Sequence, residues 1–483
     1  MGPARRDPAV TGPGGPACGI PAAGIPALLA GGEVSSVELT QAYLERIAAV
    51  DVALGATFAV LGASALREAA AADAARAAAA RGEGPPLGPL HGVPVGIKDN
   101  IDVAGVPTTV GSSFFPEPAA RDAECVRRLR AAGAVVLAKL ALHEFAYGVT
   151  CVNRHVHDCH NAWDLARIPG GSSAGSGAAV AADLCTVALG TDTGGSVRIP
   201  AALNGVTALR PTPALAAPND GVFPVSWTYD TVGPLARAAT DVALAQRALG
   251  VPGAPDPCAL LEAGVRGLRV GIPASFFLDD TDPEIVAATE ALVAELVAQG
   301  AVRVAVDVPG AARTHETMRT LIWAEAYAVQ RGRLAAEPER FGDDVRRRLL
   351  LGEPVTGADY AAARAAARSF ARAALLAFAG CDLLVAPTTG TVAPLVAESE
   401  TIATTNRLTR ATYAWSLAGL PTVALPAGFT AEGLPIGVQL AAAPGGDALA
   451  LGAAAAYQRA SDWHLRRPSA LAGTRLIGVT PHE

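Results

Sequence analysis

Two short glycine turns that carry serines constrain this chain more than any other feature. The first is Pro169-Gly170-Gly171-Ser172-Ser173-Ala174-Gly175-Ser176; the second is Gly190-Thr191-Asp192-Thr193-Gly194-Gly195-Ser196-Val197-Arg198-Ile199-Pro200. Glycine accepts backbone angles that side chains forbid, so such runs mark sharp turns or places where another group approaches the backbone closely. Together the turns offer a nucleophilic hydroxyl, a second hydroxyl to pass on its proton, and bare N–H groups for an oxyanion. Those are the ingredients of acyl transfer.

Around the turns, helix and strand patterns alternate. Residues 35 to 50 open on a serine cap and place Leu39, Tyr43 and Ile47 at helical spacing. An alanine-rich helix over about 63 to 80 follows, then a short buried strand over 93 to 97 that delivers Lys98 at its end. A helix over 121 to 131, a strand over 134 to 138, a helix after Ser173, a strand over 184 to 189 and a helix after Ser196 continue the pattern. It resumes with strand 268–272, helix 283–298, strand 302–306, long helices across 315 to 378, and strands at 383–386, near Val423 and near Ile436. The expected fold is therefore α/β, a central mixed β-sheet covered by helices on both faces. Residues 1–20 read as a flexible tail. No linker or repeat divides 21–483, which reads as one domain with a helical insertion at about 315–378.

Composition removes several classes of function. A hydrophobic fraction of 51% with 17% charged residues fits a packed globular protein. The net charge of −7 leaves no basic face for nucleic acid, and Arg346-Arg347-Arg348 reads as a solvated helix face. No long uninterrupted apolar run suggests a membrane span, and no signal-peptide pattern opens the chain. Seven scattered cysteines, an odd number, point to reduced thiols and a cytoplasmic protein. Lysine occurs only at 98 and 139, so a mechanism that needs a deprotonatable amine has two candidates.

Three chemistries compete for the glycine turns. A phosphate-binding loop would need a lysine directly after its glycines, and neither lysine is there. Gly171-Ser172-Ser173-Ala174-Gly175 satisfies the Gly-x-Ser-x-Gly of an α/β-hydrolase elbow, but the residues before it are charged and broken by Pro169, where an elbow needs a strand. The third reading uses both turns, with Thr193-Gly194-Gly195-Ser196 converging its N–H groups on an anion.

On these residues the sequence resembles the amidase signature family. The match runs through Gly92-Val93-Pro94-x-Gly96-Ile97-Lys98-Asp99, both serine turns, Gly419-Leu420-Pro421 and Gly433-Leu434-Pro435-x-Gly437-x-Gln439. The two serines stand 196 − 172 = 24 residues apart, the family's spacing. The resemblance implies a Ser-Ser-Lys triad: Ser196 as acyl nucleophile, Ser172 as bridging serine in a cis peptide, and Lys98 as base. It also implies an oxyanion hole from the N–H groups of Thr193, Gly194, Gly195 and Ser196, with Ser173 orienting Lys98. A lysine takes a proton only when neutral, so Lys98 is expected in an enclosed apolar site without a carboxylate partner. Asp192 and Arg198 are expected to form a buried pair that fixes the nucleophile's loop. Lys139 is the weaker base.

The chain departs from the family at Ala174, where glycine is usual, and over 208–215, where Arg210 replaces a lysine. Cys151, His155, His157, Asp158, Cys159 and His160 invite a zinc reading, but their spacing fits no paired Cys/His pattern, so no metal and no cofactor is expected. The implied enzyme is an amidase that releases ammonia or an amine from a small-molecule carboxamide. One alternative is the glutaminase A subunit of a tRNA-dependent amidotransferase, in which an aspartate twelve residues before the proline of Leu-Ala-Gly-Leu-Pro holds the glutamine ammonium. Here that position is Thr409 (421 − 12 = 409). A non-catalytic binding protein of the same fold is the other. Arg347 or Arg348 is placed to reach an acidic substrate, Phe145, Tyr147 and Trp415 are candidate pocket walls, and the sequence leaves a homodimer open.

Overall fold

The computed structural model describes residues 18–471; most of the expected tail, residues 1–17, lies outside them. Eleven strands form a single mixed sheet: β1 (Thr57–Val60), β2 (Pro94–Lys98), β3 (Val135–Leu140), β4 (Val187–Asp192), β5 (Thr207–Arg210), β6 (Thr231–Ala236), β7 (Arg269–Gly271), β8 (Val302–Arg303), β9 (Leu383–Pro387), β10 (Thr422–Phe429) and β11 (Pro435–Ala441). Their order across the sheet is β1-β3-β2-β4-β6-β5-β10-β11-β9-β7-β8. β2 runs parallel to both β3 and β4, and β7 parallel to β8 and β9; every other pair is antiparallel.

Every residue of β2, β3, β4, β6, β9 and β11 is buried. Strands covered on both faces read as continuous apolar runs for this reason. The covering helices are α1 (Ile25–Gly31), α2 (Ser36–Leu54), α3 (Gly62–Ala80), α4 (Glu124–Ala131), α5 (Ala174–Ala181), α6 (Arg198–Asn204), α7 (Ala239–Leu249), α8 (Pro283–Ala298), α9 (Thr314–Ala336), α10 (Asp343–Leu350), α11 (Gly357–Ala377), α12 (Ile402–Ala418) and α13 (Asp447–Ala460). α2 starts where the sequence places it because Ser35 Oγ accepts from Glu38 N at 3.1 Å while Glu38 Oε2 accepts from Ser35 N at 2.8 Å, a reciprocal cap.

The strand expected over 302–306 is regular only at Val302–Arg303, an exposed edge of the sheet; beyond it Val304 N–H still reaches Val270 O at 2.9 Å. Three strands go unread in the sequence. β1 and β5 are four residues each, and β6 hides behind Gly233 and Pro234. Pro234 lies outside the β5 ladder, which pairs only Leu235 and Ala236 of β6, so its missing N–H costs no bond to that strand.

The site is carried by the ends of β2 and β4 and by the turns that enter α5 and α6. β11 presses directly on α6: a Cβ added at Gly437 would lie 2.3 Å from Ala202 Cβ and 2.6 Å from its Cα. Backbone cannot swing away as a flexible side chain does. Gly437→Ala is expected to lower stability by about 1–3 kcal/mol in chemical denaturation, with loss of activity in the protein that remains folded, since α6 follows Ser196 directly.

Candidate active site

Lys98 ends β2 with its whole side chain buried. Its Nζ lies 2.8 Å from Ser172 Oγ and 2.8 Å from Thr191 Oγ1. Ser172 follows the Gly171–Ser172 peptide, which is cis. Burial drives the Lys98 pKa down to about 7, partly offset by the charges of Asp230 and Asp192. Neither carboxylate forms an ion pair with it. The neighbouring carboxylate, Asp99, alternates to the other side of the strand and pairs with Lys139 at 2.9 Å. Lys139 is further held by Ile101 O and Thr108 Oγ1, which makes it a buried structural residue.

Ser196 lies in the turn between β4 and α6 and reaches the wall of a cavity. Ser173 N–H donates to Ser196 O at 3.1 Å, joining the two serine turns through the backbone. Among the described residues no hydrogen bond links Ser196 Oγ to Ser172 Oγ; contacts of this kind often tighten only when substrate is bound. The structure therefore brings Lys98 and Ser172 into contact, and places Ser196 on the cavity, tied through its carbonyl to the residue after Ser172.

Two of the expected groups make other contacts. Ser173 does not touch Lys98: its Oγ donates to Thr191 O at 3.2 Å and accepts from Thr191 N at 3.3 Å. It steadies the strand residue whose hydroxyl meets the amine. Gly195 does not offer its N–H to the cavity, because that N–H donates to Asp192 Oδ1 at 2.8 Å. The N–H groups of Thr193, Gly194 and Ser196 make no hydrogen bond among the described residues. Glycine is needed here on packing grounds as well. Gly195 has φ +136°, and a Cβ there would stand 2.5 Å from Thr412 Oγ1, while one at Gly194 would stand 2.4 Å from Tyr413 Cε1.

Asp192 and Arg198 form the expected buried pair, with Nε to Oδ2 and Nη2 to Oδ1 both at 3.0 Å. Arg210, a departure from the family's pattern, completes it at 2.9 Å from Oδ1. Burial would raise the Asp192 pKa, but the two guanidiniums outweigh it and hold the carboxyl well below its usual range. Arg198 also donates to Thr412 O, Gln439 Oε1 and Ser416 Oγ, so the turn that carries Ser196 is tied to β11 and α12. Sequence reasoning misses Thr191 and Asp230. Asp230 accepts from Thr193 Oγ1 at 2.6 Å and from the N–H groups of Val225 and Ser226.

The cavity, about 260 Å³, is walled by the 146–149 loop, α9, α12 and the end of α10. Arg348 and Tyr147 line it, as does Thr409; Arg347 does not. Phe145 and Trp415 lie in the core instead, Trp415 stacked on Phe277 at 4.5 Å. The side chains of the 151–160 loop turn to separate partners: His157 Nε2 lies 3.1 Å from Thr57 O, Asp158 Oδ1 accepts from Asn153 N, and His155 Nε2 lies 3.2 Å from Glu144 Oε1. All seven cysteines are free thiols. No helix among the described residues is long and apolar enough to cross a membrane.

An amine kept near neutrality against a serine, beside a turn with free N–H groups, defines an acyl-transfer site, and comparison with known proteins agrees. The amidase family profile matches residues 38–451. The glutamyl-tRNA(Gln) amidotransferase A subunit of Roseiflexus castenholzii is 38% identical over 91% of this chain and 96% of its own. Among solved structures, the peptide amidase from Stenotrophomonas maltophilia matches with a TM-score of 0.82 and 32% identity over 94% of this chain and 99% of that one. A 6-aminohexanoate cyclic dimer hydrolase matches at 0.83 and 28% over the same shares. The chain belongs to the amidase signature family. It is an amidase-type enzyme.

Two outcomes follow from the charges. Asp192→Asn leaves two buried guanidiniums without their carboxylate and is expected to cost about 3–5 kcal/mol in chemical denaturation. Lys98, with a folded pKa of about 7 against about 10.4 for a free lysine, binds fewer protons folded than unfolded between those values. Its contribution to stability therefore rises with pH across that window and is lost as pH falls toward 7. In Lys98→Met the slope of unfolding free energy between pH 8 and 9 is expected to fall by about 1.4 kcal/mol per pH unit.

Proposed function

We propose that the protein is a free-standing amidohydrolase in which Lys98, Ser172 and Ser196 form the catalytic relay. Ser196 Oγ attacks the amide carbonyl, its proton passes to Ser172 Oγ, and the Ser172 proton passes to neutral Lys98 Nζ. The carbonyl oxygen, now negative, is held by the unpaired N–H groups of Thr193, Gly194 and Ser196. As the C–N bond breaks, the proton returns through Ser172 to the leaving nitrogen, releasing ammonia or an amine and leaving acyl-Ser196. Water then attacks the ester along the same relay, giving the acid and free Ser196.

The observation that carries this reading is the 2.8 Å contact between Ser172 Oγ and a fully buried Lys98 amine that has no counter-ion. An ammonium there could not accept a proton; an amine with a pKa of about 7 can. Asp192, Arg198 and Arg210 hold the turn, and Ser173 acts through Thr191. The seven free thiols support a reducing, cytoplasmic setting.

A second reading, the glutaminase subunit of a tRNA-dependent amidotransferase, is favoured by the 38% identity to a protein of that kind. Against it, Thr409 faces the cavity where that role calls for an aspartate. Ammonia release from a panel of aliphatic, aromatic and acidic amides by the chain alone separates the two. Glutamine-dependent amidation seen only with partner proteins present would favour the second. Ser196→Ala is expected to lose at least about 10³-fold in kcat and all labelling by a serine-directed phosphonate. Ser172→Ala should lose a similar factor with the phosphonate site still present. In the parent, kcat/KM should climb about tenfold per unit as pH rises toward 7 and level off above it. A flat profile from pH 5 to 8, or a Ser196→Ala enzyme as fast as its parent, would remove the proposal.

A further inference from the structure

Besides the phenols of Tyr147 and Tyr413, four groups lining the cavity can carry charge: His315 and Arg319 on α9, Arg348 on α10, and Glu400 just before α12. Three have evident situations. Arg348 donates to Tyr147 O at 3.3 Å and lies 4.0 Å from Asp344 Oδ2, which is itself 3.1 Å from His143 Nε2. Glu400 is exposed at the rim.

His315 Nε2 lies 3.0 Å from Thr409 Oγ1, and that hydroxyl gives its hydrogen to Thr405 O at 2.8 Å. Nε2 must therefore be the donor. Burial, then the charges of Arg319 and Arg410, push the His315 pKa down to about 4, so the ring is neutral at pH 7. It stacks on Tyr413 at 5.0 Å.

Arg319 differs from all of these. Among the described residues its guanidinium makes no hydrogen bond and no ion pair, and its Nε is buried without a partner. Its face is held over the Trp323 ring at 5.3 Å, which attracts the charge but leaves the N–H groups of the fork free. A guanidinium stays charged at any working pH and presents five donors in a fixed plane suited to a carboxylate. The two buried arginines behind the nucleophile, Arg198 and Arg210, both have carboxylate partners. Of the two arginines that line the cavity, Arg348 has Tyr147 O and Asp344 as partners, and among the described residues Arg319 has none. Ile322 on the same helix and Val225 add apolar lining to the cavity, and a volume of about 260 Å³ suits a small molecule.

We propose that Arg319 is the counter-ion for a carboxylate of the substrate, and that the enzyme takes monoamides of small dicarboxylic acids, with the amide carbonyl at Ser196 and the free carboxylate on the α9 side. The inference rests on the amidohydrolase reading and names its substrate class. The aliphatic chain lies against Ile322 and Val225, and Arg319 acts as a specificity-determining residue.

Binding separates the inference from turnover. Calorimetry on Ser196→Ala compares succinamate with butyramide and glutaramate with pentanamide, each pair differing by a carboxylate in place of a methyl. The acid member is expected to bind about 10- to 100-fold tighter, the range of a charge-assisted hydrogen-bonded pair. Adding Arg319→Gln should abolish that ratio, while Arg319→Lys should retain part of it. A melt of each variant shows that it is folded; should Arg319→Gln fail to fold, Arg319→Lys carries the test through a reduced ratio.

Equal binding within each pair, or a ratio that persists without Arg319, overturns the inference. Turnover by the parent decides the other question. Cleavage of butyramide with no acid preference leaves an amidohydrolase without this specificity. Selective binding of the acids with no cleavage of any amide sinks the hydrolase and leaves the Arg319 site standing.

Discussion

An amine is carried by Lys98 into a place from which both water and counter-ions are excluded, and much of the surrounding structure follows from keeping it there. Desolvation alone disfavours the charged form strongly. Asp230 and Asp192 are near enough to pull the pKa back up, yet each is occupied elsewhere. Asp230 accepts from the Thr193 hydroxyl and two N–H groups, and Asp192 is saturated by two guanidiniums. Direct contact with either would hold Lys98 as an ammonium. The strand pleat removes the third threat, since it sends Asp99 to Lys139 on the opposite side.

Asp192 is the second constraint, and it works through geometry. One carboxylate, at the end of β4, accepts from Gly195 N–H, Val197 N–H, Arg198 and Arg210. It thus pins the glycine turn, the entry to α6 and the end of β5 to one point. With the Gly195 N–H engaged in this way, the N–H groups of its neighbours at 193, 194 and 196 stay free. A turn fixed on its back by a buried ion network can hold donors on its front without collapsing onto them.

How much of this is legible depends on where each residue's meaning resides. Lys98, Ser172 and Ser196 stand in motifs whose glycines and hydroxyls are visible as text, and the α/β alternation is visible because buried strands are apolar throughout. Thr191 stands in plain view, but nothing in a sequence says that its hydroxyl turns toward a lysine 93 residues away. Asp230 precedes a strand disguised by Gly233 and Pro234, so its place beside Thr193 does not show. Arg210 stands out only as a departure; its role depends on β5 pairing beside β6, a contact between segments that carry no shared pattern. Gly195 misleads for the same reason. A run of glycines shows that N–H groups are bare, not which way each one points.

The proposed relay and the cavity come from different parts of the chain, and this shapes how the site can vary. Lys98, Ser172, Thr191 and Ser196 sit on strand ends and turns of the sheet, while the cavity wall opposite them is built from α9, α10 and α12. The two halves meet at Gly194 and Gly195, against which Tyr413 and Thr412 of α12 pack too closely for any Cβ. Substitutions at 412 or 413 therefore press on the glycine turn that precedes Ser196. Positions 319, 348 and 409 line the same cavity, and the atoms nearest to a Cβ at either glycine belong to other residues. Charge at these three positions can thus change which amide is held without moving the groups that would break it.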